Sequence, residues 1–201
     1  MKPQNRKTAI LILAAGASRR LGRPKQLLKL EGQTLLRRMT ELAVSLDIGP
    51  VFVVLGAQVE LMESELDRLE VYQVENPNWA KGMATSLQVG ISFVETLEPD
   101  VEAVLVLLVD QPKVDADLLA KLINTFQEKR PPLVASFYNN RNGVPAIFDR
   151  SLFKELKSVE GDRGARRVIR KYEATLVSIP FPGGVMDVDT EEDYLIIKNL
   201  E

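Results

Sequence analysis

The chain alternates short apolar runs with longer segments that are apolar on one side only. Residues 9–13 and 51–55 are continuous apolar runs, the pattern of strands buried on both faces of a sheet. Between them, residues 34–46 repeat apolar side chains at helical spacing, which predicts an amphipathic helix. The alternation continues to the end of the chain. It predicts further strands at 71–74, 103–109, 133–137, 144–148, 174–179 and 185–188, and further helices at 59–69, 83–97, 115–129, 151–156, 164–172 and 190–200.

Strands separated by helix-length segments predict crossover connections and a mostly parallel sheet. We therefore expect an α/β fold of three layers, in which helices cover both faces of a central sheet. Because no repeat, linker or low-complexity tract interrupts the pattern, one domain over residues 1–201 is the simplest interpretation. The predicted core includes Leu35, Met39, Leu42, Leu105, Leu107 and Val109.

Composition narrows the chemistry that such a fold could perform. The 201 residues include neither cysteine nor histidine, which excludes thiol nucleophiles, imidazole bases and metal sites built from Cys or His. Catalysis would have to use carboxylates, Lys, Arg, hydroxyls, backbone amides or a metal with oxygen ligands. With 26 Lys and Arg against 28 Asp and Glu, the net charge of −2 argues against nucleic acid or an anionic membrane as a partner.

Nothing near the amino terminus indicates export. Residues 1–8 are polar, and the apolar run that follows ends at Ala15, which is too short for the hydrophobic part of a signal peptide. No run approaches the ~18–20 apolar residues of a transmembrane helix. We expect a cytoplasmic enzyme or binding domain, and a monomer, because no long apolar helix face is left over.

The loop after the first strand is the most informative segment for function. It runs over residues 14–25 and contains Gly16, Gly22 and several Arg and Lys side chains. Ligands of parallel sheets bind at this edge, where small residues let backbone amides approach a phosphate and basic groups add charged contacts. The spacing matches neither a Walker A loop nor Gly-x-Gly-x-x-Gly, which disfavours a dinucleotide oxidoreductase. A turn with solvated arginines is the structural alternative.

Six segments, in order along nearly the whole chain, resemble the motifs of the MobA/MocA-like nucleotidyltransferases. These proteins have a glycosyltransferase-A-type, Rossmann-like fold, and the later segments resemble the MocA branch more than the MobA branch. The segments are Leu13-Ala14-Ala15-Gly16-x-Ser18-x-Arg20-Leu21-Gly22-x-x-Lys25-x-Leu27-Leu28, Asn76-x-x-Trp79-x-x-Gly82-Met83-x-x-Ser86-Leu87, Asp110-Gln111-Pro112, Gly143-x-Pro145-x-x-Phe148, Gly161-Asp162-x-Gly164-Ala165-Arg166 and Asp187-Val188-Asp189-Thr190.

The resemblance implies roles for residues in each segment. Arg20, Lys25 and Asp110 would be catalytic, and Asp110 with Asp189 would hold Mg²⁺, or Mn²⁺ as an alternative. The residue pattern agrees, since an apolar strand delivers Asp110 to the ligand edge of the sheet. The implied nucleotide-binding residues are Leu13, Ala14, Ala15, Gly16, Ser18, Lys25, Asn76, Gly82, Met83 and Ser86, and those near the acceptor are Gly143, Pro145, Gly161, Asp162 and Arg166.

Asp187 lies on the predicted strand at 185–188, and Asp189 directly follows that strand. Because side chains alternate along a strand, we expect the two carboxylates to point to opposite sides. Only one of them should then reach a shared metal, and the family pattern favours Asp189. Structural roles stay open for two of these carboxylates. Asp189 could cap the helix that begins near Thr190, and Asp110 could cap a turn.

The reaction implied is nucleotidyl transfer, in which a phosphate oxygen of an acceptor attacks the α-phosphorus of a nucleoside triphosphate and pyrophosphate leaves. A phosphate monoester is already anionic at neutral pH, so a chain without histidine needs no general base. In the resembling enzymes Ala-Ala-Gly at positions 14–16 goes with cytidine and Ala-Gly-Gly with guanosine, which favours CTP over GTP. The implied acceptor is molybdopterin carrying molybdenum, and transient contact with molybdenum enzymes would follow.

Three positions depart from the family pattern, and several functions stay open. Val144 stands where many MocA-branch members have histidine, on the presumed acceptor side, while Thr34 and Glu191 replace prolines at helix starts. One alternative is a GTP-using guanylyltransferase, and another is a nucleotidyltransferase that acts on a sugar phosphate or polyol phosphate. A third is a nucleotide-binding domain without catalysis.

Overall fold

The computed structural model describes residues 6–200. Over this range the chain forms nine strands and seven α-helices, joined in places by single turns of 3₁₀ helix. The strands are β1 (Thr8–Leu13), β2 (Lys29–Leu30), β3 (Gln33–Thr34), β4 (Val51–Leu55), β5 (Tyr72–Glu75), β6 (Ala103–Leu108), β7 (Leu133–Tyr138), β8 (Arg141–Asp149) and β9 (Val177–Pro180). The helices are α1 (Leu35–Ser45), α2 (Val59–Glu63), α3 (Met83–Leu97), α4 (Ala116–Lys129), α5 (Phe153–Lys157), α6 (Arg166–Lys171) and α7 (Glu191–Lys198).

Seven of the strands form one sheet in the order β5-β4-β1-β6-β8-β7-β9. Neighbours from β5 to β6 are parallel, and so are β7 and β9, whereas β8 is antiparallel to both of its neighbours. The reversal arises because Asn139 and Asn140, both with left-handed backbone, make a tight hairpin, which can join only antiparallel strands. The expected mostly parallel sheet is confirmed, with this one strand reversed.

Strand β1 shows why both faces of the sheet are covered. Successive side chains of a strand point to opposite faces. Leu11 belongs to the buried cluster that includes side chains of α3, α5 and α6, and Ile10 and Ile12 belong to the cluster that includes side chains of α1, α2 and α4. All three side chains are fully buried. The three-layer prediction is therefore confirmed, and so is the predicted core: five of its members are buried and Leu42 packs against the same cluster.

Helix α7 returns to the beginning of the chain and packs on the β2–β3 hairpin. Its Tyr194 and Ile197 join Leu28, Leu30 and Val188 in a small separate cluster, and the Tyr194 hydroxyl donates to the carbonyl of Lys29 at 2.9 Å. This packing brings residues 187–190 beside the loop that follows β1.

Several predicted boundaries are wrong. The helix predicted at 59–69 ends at Glu63 and gives way to one 3₁₀ turn, and the predicted strand at 174–179 begins only at Val177. The predicted strand at 185–188 is absent from the described residues. Pro182–Val185 instead form a 3₁₀ turn, which the sequence Pro-Gly-Gly favours, and the two-residue strands of the β2–β3 hairpin were not predicted.

Among the helices of residues 6–200, none has both the length and the apolar character needed to cross a lipid bilayer. The first five residues, which belong to the polar stretch predicted at the amino terminus, lie outside the described residues, as does Glu201.

Candidate active site

A cavity of about 410 Å³ lies beyond the carboxyl ends of β1 and β6. The loop after β1 forms one wall, and the amino-terminal turn of α3 forms another. Most of the residues that the sequence singles out meet here. Those that line the cavity are Leu13, Ala14, Ala15, Gly16, Ser18, Arg20, Lys25, Gly82, Met83, Ser86, Asp110, Asp162 and Asp189.

Lys25 is the centre of the charged end of this cavity. Its Nζ donates to Asp110 Oδ2 at 2.6 Å, to Asp189 Oδ1 at 2.9 Å and to the Val188 carbonyl at 3.3 Å. Burial disfavours the charged amine, but the charges and hydrogen bonds of the two carboxylates outweigh burial and raise the pKa of Lys25. Two carboxylates that lie far apart in the sequence therefore converge on one cation.

Arg20 extends the same network toward solvent. Its Nη2 donates to Asp189 Oδ2 at 2.7 Å, so Asp189 bridges Arg20 and Lys25. Burial opposes ionisation of the carboxyl, but hydrogen bonds and charge from Lys25 and then from Arg20 prevail and lower the pKa of Asp189. The cavity thus holds two cations within reach of any phosphate that enters it.

The strand on which the orientation of Asp187 was predicted is absent from the described residues. Residues 185–188 form no strand, so the alternation that would send Asp187 and Asp189 to opposite sides does not apply. Burial raises the pKa of Asp187 to about 6, and the charges of Asp110 and Asp189 add to the effect. Unlike Asp189, Asp187 does not line the cavity, and its carboxyl binds a proton more tightly than that of an ordinary aspartate.

The donor set fits a hard divalent cation. Asp110 Oδ1 is buried without a hydrogen-bond donor, while the other oxygen of Asp110 converges with Asp189 on one point. Within residues 6–200, no three carboxylates form a ready-made metal cage. Asp110 and Asp189 could supply two ligands, and phosphate oxygens and waters would complete the shell, as is usual for Mg²⁺.

The amino-terminal turn of α3 forms the other end of the cavity. Gly82 adopts φ = +111°, and a Cβ there would lie 2.6 Å from Asp162 Oδ1, so the segment 161–164 packs directly on Gly82. Asp162, which the sequence assigns to the acceptor, thus lines the cavity beside the predicted nucleotide-binding residues Gly82 and Met83.

Asn76 lies behind this wall and does not line the cavity. It is 2% exposed, and its Nδ2 donates to Thr85 Oγ1 and Ser86 Oγ, both at 2.9 Å, while its Oδ1 accepts from the backbone of Asn78. Its hydrogen bonds hold Ser86 in place. Asn76 thus contacts Ser86, which lines the cavity, whereas the family resemblance implies that Asn76 belongs to the nucleotide-binding residues.

The other predicted acceptor residues lie beside the cavity rather than in its wall. Gly143 packs against the Tyr138 hydroxyl, which donates to the Val144 carbonyl at 3.0 Å. Gln111, the neighbour of Asp110, donates to the same carbonyl at 3.2 Å, which ties the 143–145 stretch to the charged cluster. Pro145 is on β8 within this stretch, Gly161 is in the turn against Gly82, and Arg166 begins α6.

One buried residue directly after the loop is not among the predicted site residues. Gln26 is 1% exposed, lines the cavity and donates to two carbonyls of the loop. The signal available was a polar residue between Lys25 and the apolar pair Leu27 and Leu28. That pattern alone does not distinguish a buried amide from a solvated one.

Comparison with known proteins identifies the family. The chain belongs to the MobA-like NTP transferase family, whose domain model matches residues 10–176. It is similar to Nicotine blue oxidoreductase of Paenarthrobacter nicotinovorans, with 32% identity covering 90% of this chain and 92% of that protein. Purine catabolism protein PucB of Bacillus subtilis is 26% identical, and Molybdenum cofactor cytidylyltransferase of Escherichia coli is 22% identical, each covering 94% of both chains.

Solved structures share this fold. Rv0371c from Mycobacterium tuberculosis H37Rv matches 98% of this chain and 100% of that chain, with a TM-score of 0.84 and 26% identity. A structure of Rv0371C in complex with manganese covers 96% of this chain and 98% of that chain, with a TM-score of 0.77 and 23% identity. The predicted nucleotidyltransferase fold and the resemblance to the family are thereby confirmed.

Proposed function

We propose that this protein transfers a cytidylyl group from CTP to the phosphate of a molybdopterin-type acceptor and releases pyrophosphate. The observation that supports it most is the position of Lys25, between Asp110 and Asp189, at the end of a cavity that the loop after β1 encloses. This arrangement combines cations for phosphate oxygens with carboxylates for a divalent metal.

In the proposed reaction an acceptor phosphate oxygen forms a bond to the α-phosphorus, and the bond from that phosphorus to the oxygen bridging to the β-phosphate breaks. The chain contains no histidine, and an anionic phosphate needs no base to attack. Lys25 and Arg20 would hold the triphosphate in line and stabilise the negative charge of the leaving pyrophosphate. A bound Mg²⁺ on Asp110 and Asp189 would neutralise phosphate charge.

The choice of nucleotide is a separate part of the proposal. Ala15 at the second position of the loop motif and the similarity to the Escherichia coli cytidylyltransferase support CTP. A methyl group at position 15 would crowd a purine more than a pyrimidine. In the presence of Mg²⁺, CTP should raise the melting temperature more than GTP or ATP does, since ligand that binds only the folded state stabilises it. An equal shift with ATP would contradict the choice of CTP.

The acceptor is tested by turnover. Purified protein is incubated with CTP or GTP, Mg²⁺ and one of three phosphorylated acceptors, namely molybdenum-loaded molybdopterin, a sugar phosphate or a polyol phosphate, and pyrophosphate release is measured. Release with molybdopterin alone would support the proposal. Release only with another acceptor would retain nucleotidyl transfer and replace the acceptor, and binding without release from any acceptor would support the non-catalytic alternative.

The 32% identity with Nicotine blue oxidoreductase favours a second candidate, an oxidoreductase that binds a nucleotide-containing cofactor in the same cavity. The same thermal-shift series therefore includes NADH and NADPH. A shift with a reduced nicotinamide cofactor that exceeds the shift with any triphosphate would favour this second candidate over nucleotidyl transfer.

Removal of the central charges should abolish turnover without unfolding the protein. We expect Lys25→Ala and Asp110→Asn each to lower the rate by about 10²–10³, the usual effect of losing one preorganised charge in a transition state. Pyrophosphate release at saturating CTP measures the effect.

Asp149→Asn is the matched control for Asp110→Asn. Asp149 is ion-paired to Arg6 at 2.7 Å and has a similar exposed fraction, but it pairs with Ala103 at the amino end of β6, far from the cavity. Near-normal turnover of folded Asp110→Asn protein would disprove the assigned role of Asp110.

A further inference from the structure

The buried side chain of Gln26 makes three hydrogen bonds to the loop that follows β1. Its Nε2 donates to the carbonyl of Ala14 at 2.6 Å and to that of Gly16 at 2.8 Å, so both amide hydrogens are used. Its Oε1 accepts from the Ser18 hydroxyl at 3.4 Å. All of its polar contacts therefore go to residues 14–18, which line the cavity.

These contacts fix the direction of two backbone amides. In a trans peptide the carbonyl and the N–H of the same unit point in opposite directions. The Ala14 carbonyl shares its peptide with the Ala15 N–H, and the Gly16 carbonyl shares its peptide with the Ala17 N–H. Because Gln26 holds both carbonyls on its own side, both N–H groups point to the other side.

The two amides have no acceptor in the described part of the chain. Neither Ala15 N nor Ala17 N donates to any backbone or side-chain oxygen there, although the Ala15 carbonyl accepts from Ala57 N at 3.0 Å. Both Ala15 and Ala17 line the cavity, and a backbone N–H without a partner there is available to a bound ligand. An anionic ligand in the cavity would satisfy both amides at once.

Gln26 is also linked to the backbone of Lys25. The Ser18 oxygen that donates its hydrogen to Gln26 accepts from Lys25 N at 3.0 Å. Ser18 itself has a left-handed backbone with φ = 52°, which this pair of hydrogen bonds supports. The side chain of Gln26 thus connects the amide-bearing part of the loop to the residue that carries the central cation.

We propose that Gln26 is a positioning residue for phosphate. It turns the Ala15 and Ala17 amides toward the phosphate groups of the nucleotide. It also fixes the positions of Ser18 and Lys25 relative to these amides. Gln26 itself need not touch the ligand. This inference rests on the proposed function only in taking a nucleotide phosphate as the ligand, and it does not depend on which acceptor is used.

The test compares Gln26→Met with Gln127→Met. Methionine keeps the approximate volume and removes the hydrogen bonds. Gln127 is the matched control, because it also makes two hydrogen bonds to backbone, with Arg6 N at 2.8 Å and Arg6 O at 2.9 Å, near the amino end of β1 and far from the cavity. Binding of CTP, GTP and inorganic tripolyphosphate is measured by calorimetry with Mg²⁺, and circular dichroism confirms that each variant is folded.

Gln26→Met should bind all three probes about 10- to 100-fold more weakly than the wild type, because two charge-assisted hydrogen bonds lose their alignment. The control Gln127→Met should stay within about twofold of the wild type, since it leaves those two bonds aligned. Loss of affinity for tripolyphosphate is the decisive part, because that probe has no base or ribose.

Gln26→Glu distinguishes a role in phosphate binding from a role in folding alone, because only the binding role predicts that the affinity for tripolyphosphate changes with pH. A carboxylate cannot donate to the loop carbonyls, whereas the protonated acid can donate to one of them. Relative to wild type at the same pH, Gln26→Glu should therefore regain tripolyphosphate affinity as the pH falls from neutral toward the pKa of the introduced acid. Gln26→Met should show no such gain.

The outcomes separate this inference from the proposed function. If folded Gln26→Met binds tripolyphosphate as tightly as wild type, the positioning role is overturned while nucleotidyl transfer stands. If the variants behave as expected but wild type transfers no nucleotidyl group, the positioning role stands and the proposed function fails. If wild type binds neither triphosphates nor tripolyphosphate, both proposals are overturned.

Discussion

At the scale of single residues, the site depends on Lys25. Asp110 and Asp189 would repel each other across the cavity, and the Lys25 ammonium, within 2.9 Å of an oxygen on each, offsets that repulsion. The ammonium thus lies at the point on which the two predicted metal ligands converge. In the protein without nucleotide, a metal ion bound by these two carboxylates would compete with the lysine for their negative charge.

This competition predicts that Lys25→Met, although inactive, binds metal better when no nucleotide is present. We expect the affinity for Mn²⁺ alone to rise by about fivefold or more, because removing a neighbouring positive charge is worth at least about 1 kcal/mol even in a water-like medium. Electron paramagnetic resonance of free Mn²⁺ measures it. Lys7→Met, which breaks the exposed pair with Glu98, is the control; unchanged or weaker Mn²⁺ binding by Lys25→Met would contradict the prediction.

At the scale of elements, helix α7 holds Asp189 in place. Thr190 and Asp193 form a capping box: Thr190 Oγ1 accepts from Asp193 N at 3.2 Å, and Asp193 Oδ2 accepts from Thr190 N at 2.8 Å. The same carboxylate accepts from Asp189 N at 3.1 Å. The motif visible in the sequence as a helix start therefore also fixes the backbone of a predicted metal ligand.

Thr190→Ala should accordingly affect both stability and binding. We expect a loss of about 1 kcal/mol in the free energy of unfolding, typical of a lost N-cap, measured by urea denaturation. Affinity for the Mg²⁺–CTP complex should also fall, because the Asp189 backbone is less constrained. Asp115→Ala removes the N-cap of α4, which accepts from Leu118 N at 2.8 Å, and serves as the control. It should cost similar stability without weakening CTP binding, and an equal loss of binding would refute the link to Asp189.

At the scale of the whole molecule, the sheet assembles a site from distant parts of the chain. The carboxyl ends of β1 and β6 meet at one edge, which brings the loop after β1 to Asp110, and the segment 161–164 closes over Gly82. Lys25 and Asp189 are 164 residues apart in sequence. The residues of the site come from several separate segments, so the geometry of the site depends on the packing of all three layers.

Gly82→Ala tests the closest of these long-range contacts. The added Cβ would lie 2.6 Å from Asp162 Oδ1 and 2.8 Å from the backbone of Gly161, at a φ that disfavours alanine. We expect a loss of about 1–3 kcal/mol in stability and a weaker thermal shift with CTP. Gly16→Ala has open space around its Cβ, so its melting temperature should match the wild type. A Gly82→Ala protein as stable as the wild type would show that segment 161–164 can move away freely.

Prediction from sequence succeeded where a signal is local and failed where it is not. The apolar run at 9–13, the helix at 83–97 and the capping motif at Thr190 each depend on neighbouring residues, and all three are confirmed. The predicted strand at 185–188 failed because β-branched residues around Asp187 suggest a strand, whereas no neighbouring strand in the described residues pairs with them.

The sequence by itself determined the layered α/β fold, the family and the loop that lines the cavity, since periodicity and motif order follow from short-range constraints. Only the tertiary structure decided that Lys25 joins Asp110 to Asp189, that burial raises the pKa of Asp187, that Asn76 lies behind Ser86 and that Gln26 hydrogen-bonds to the loop. The physical reason is that burial, hydrogen-bond direction and charge pairing arise between side chains brought together by packing, and no local pattern encodes which distant partner each will meet.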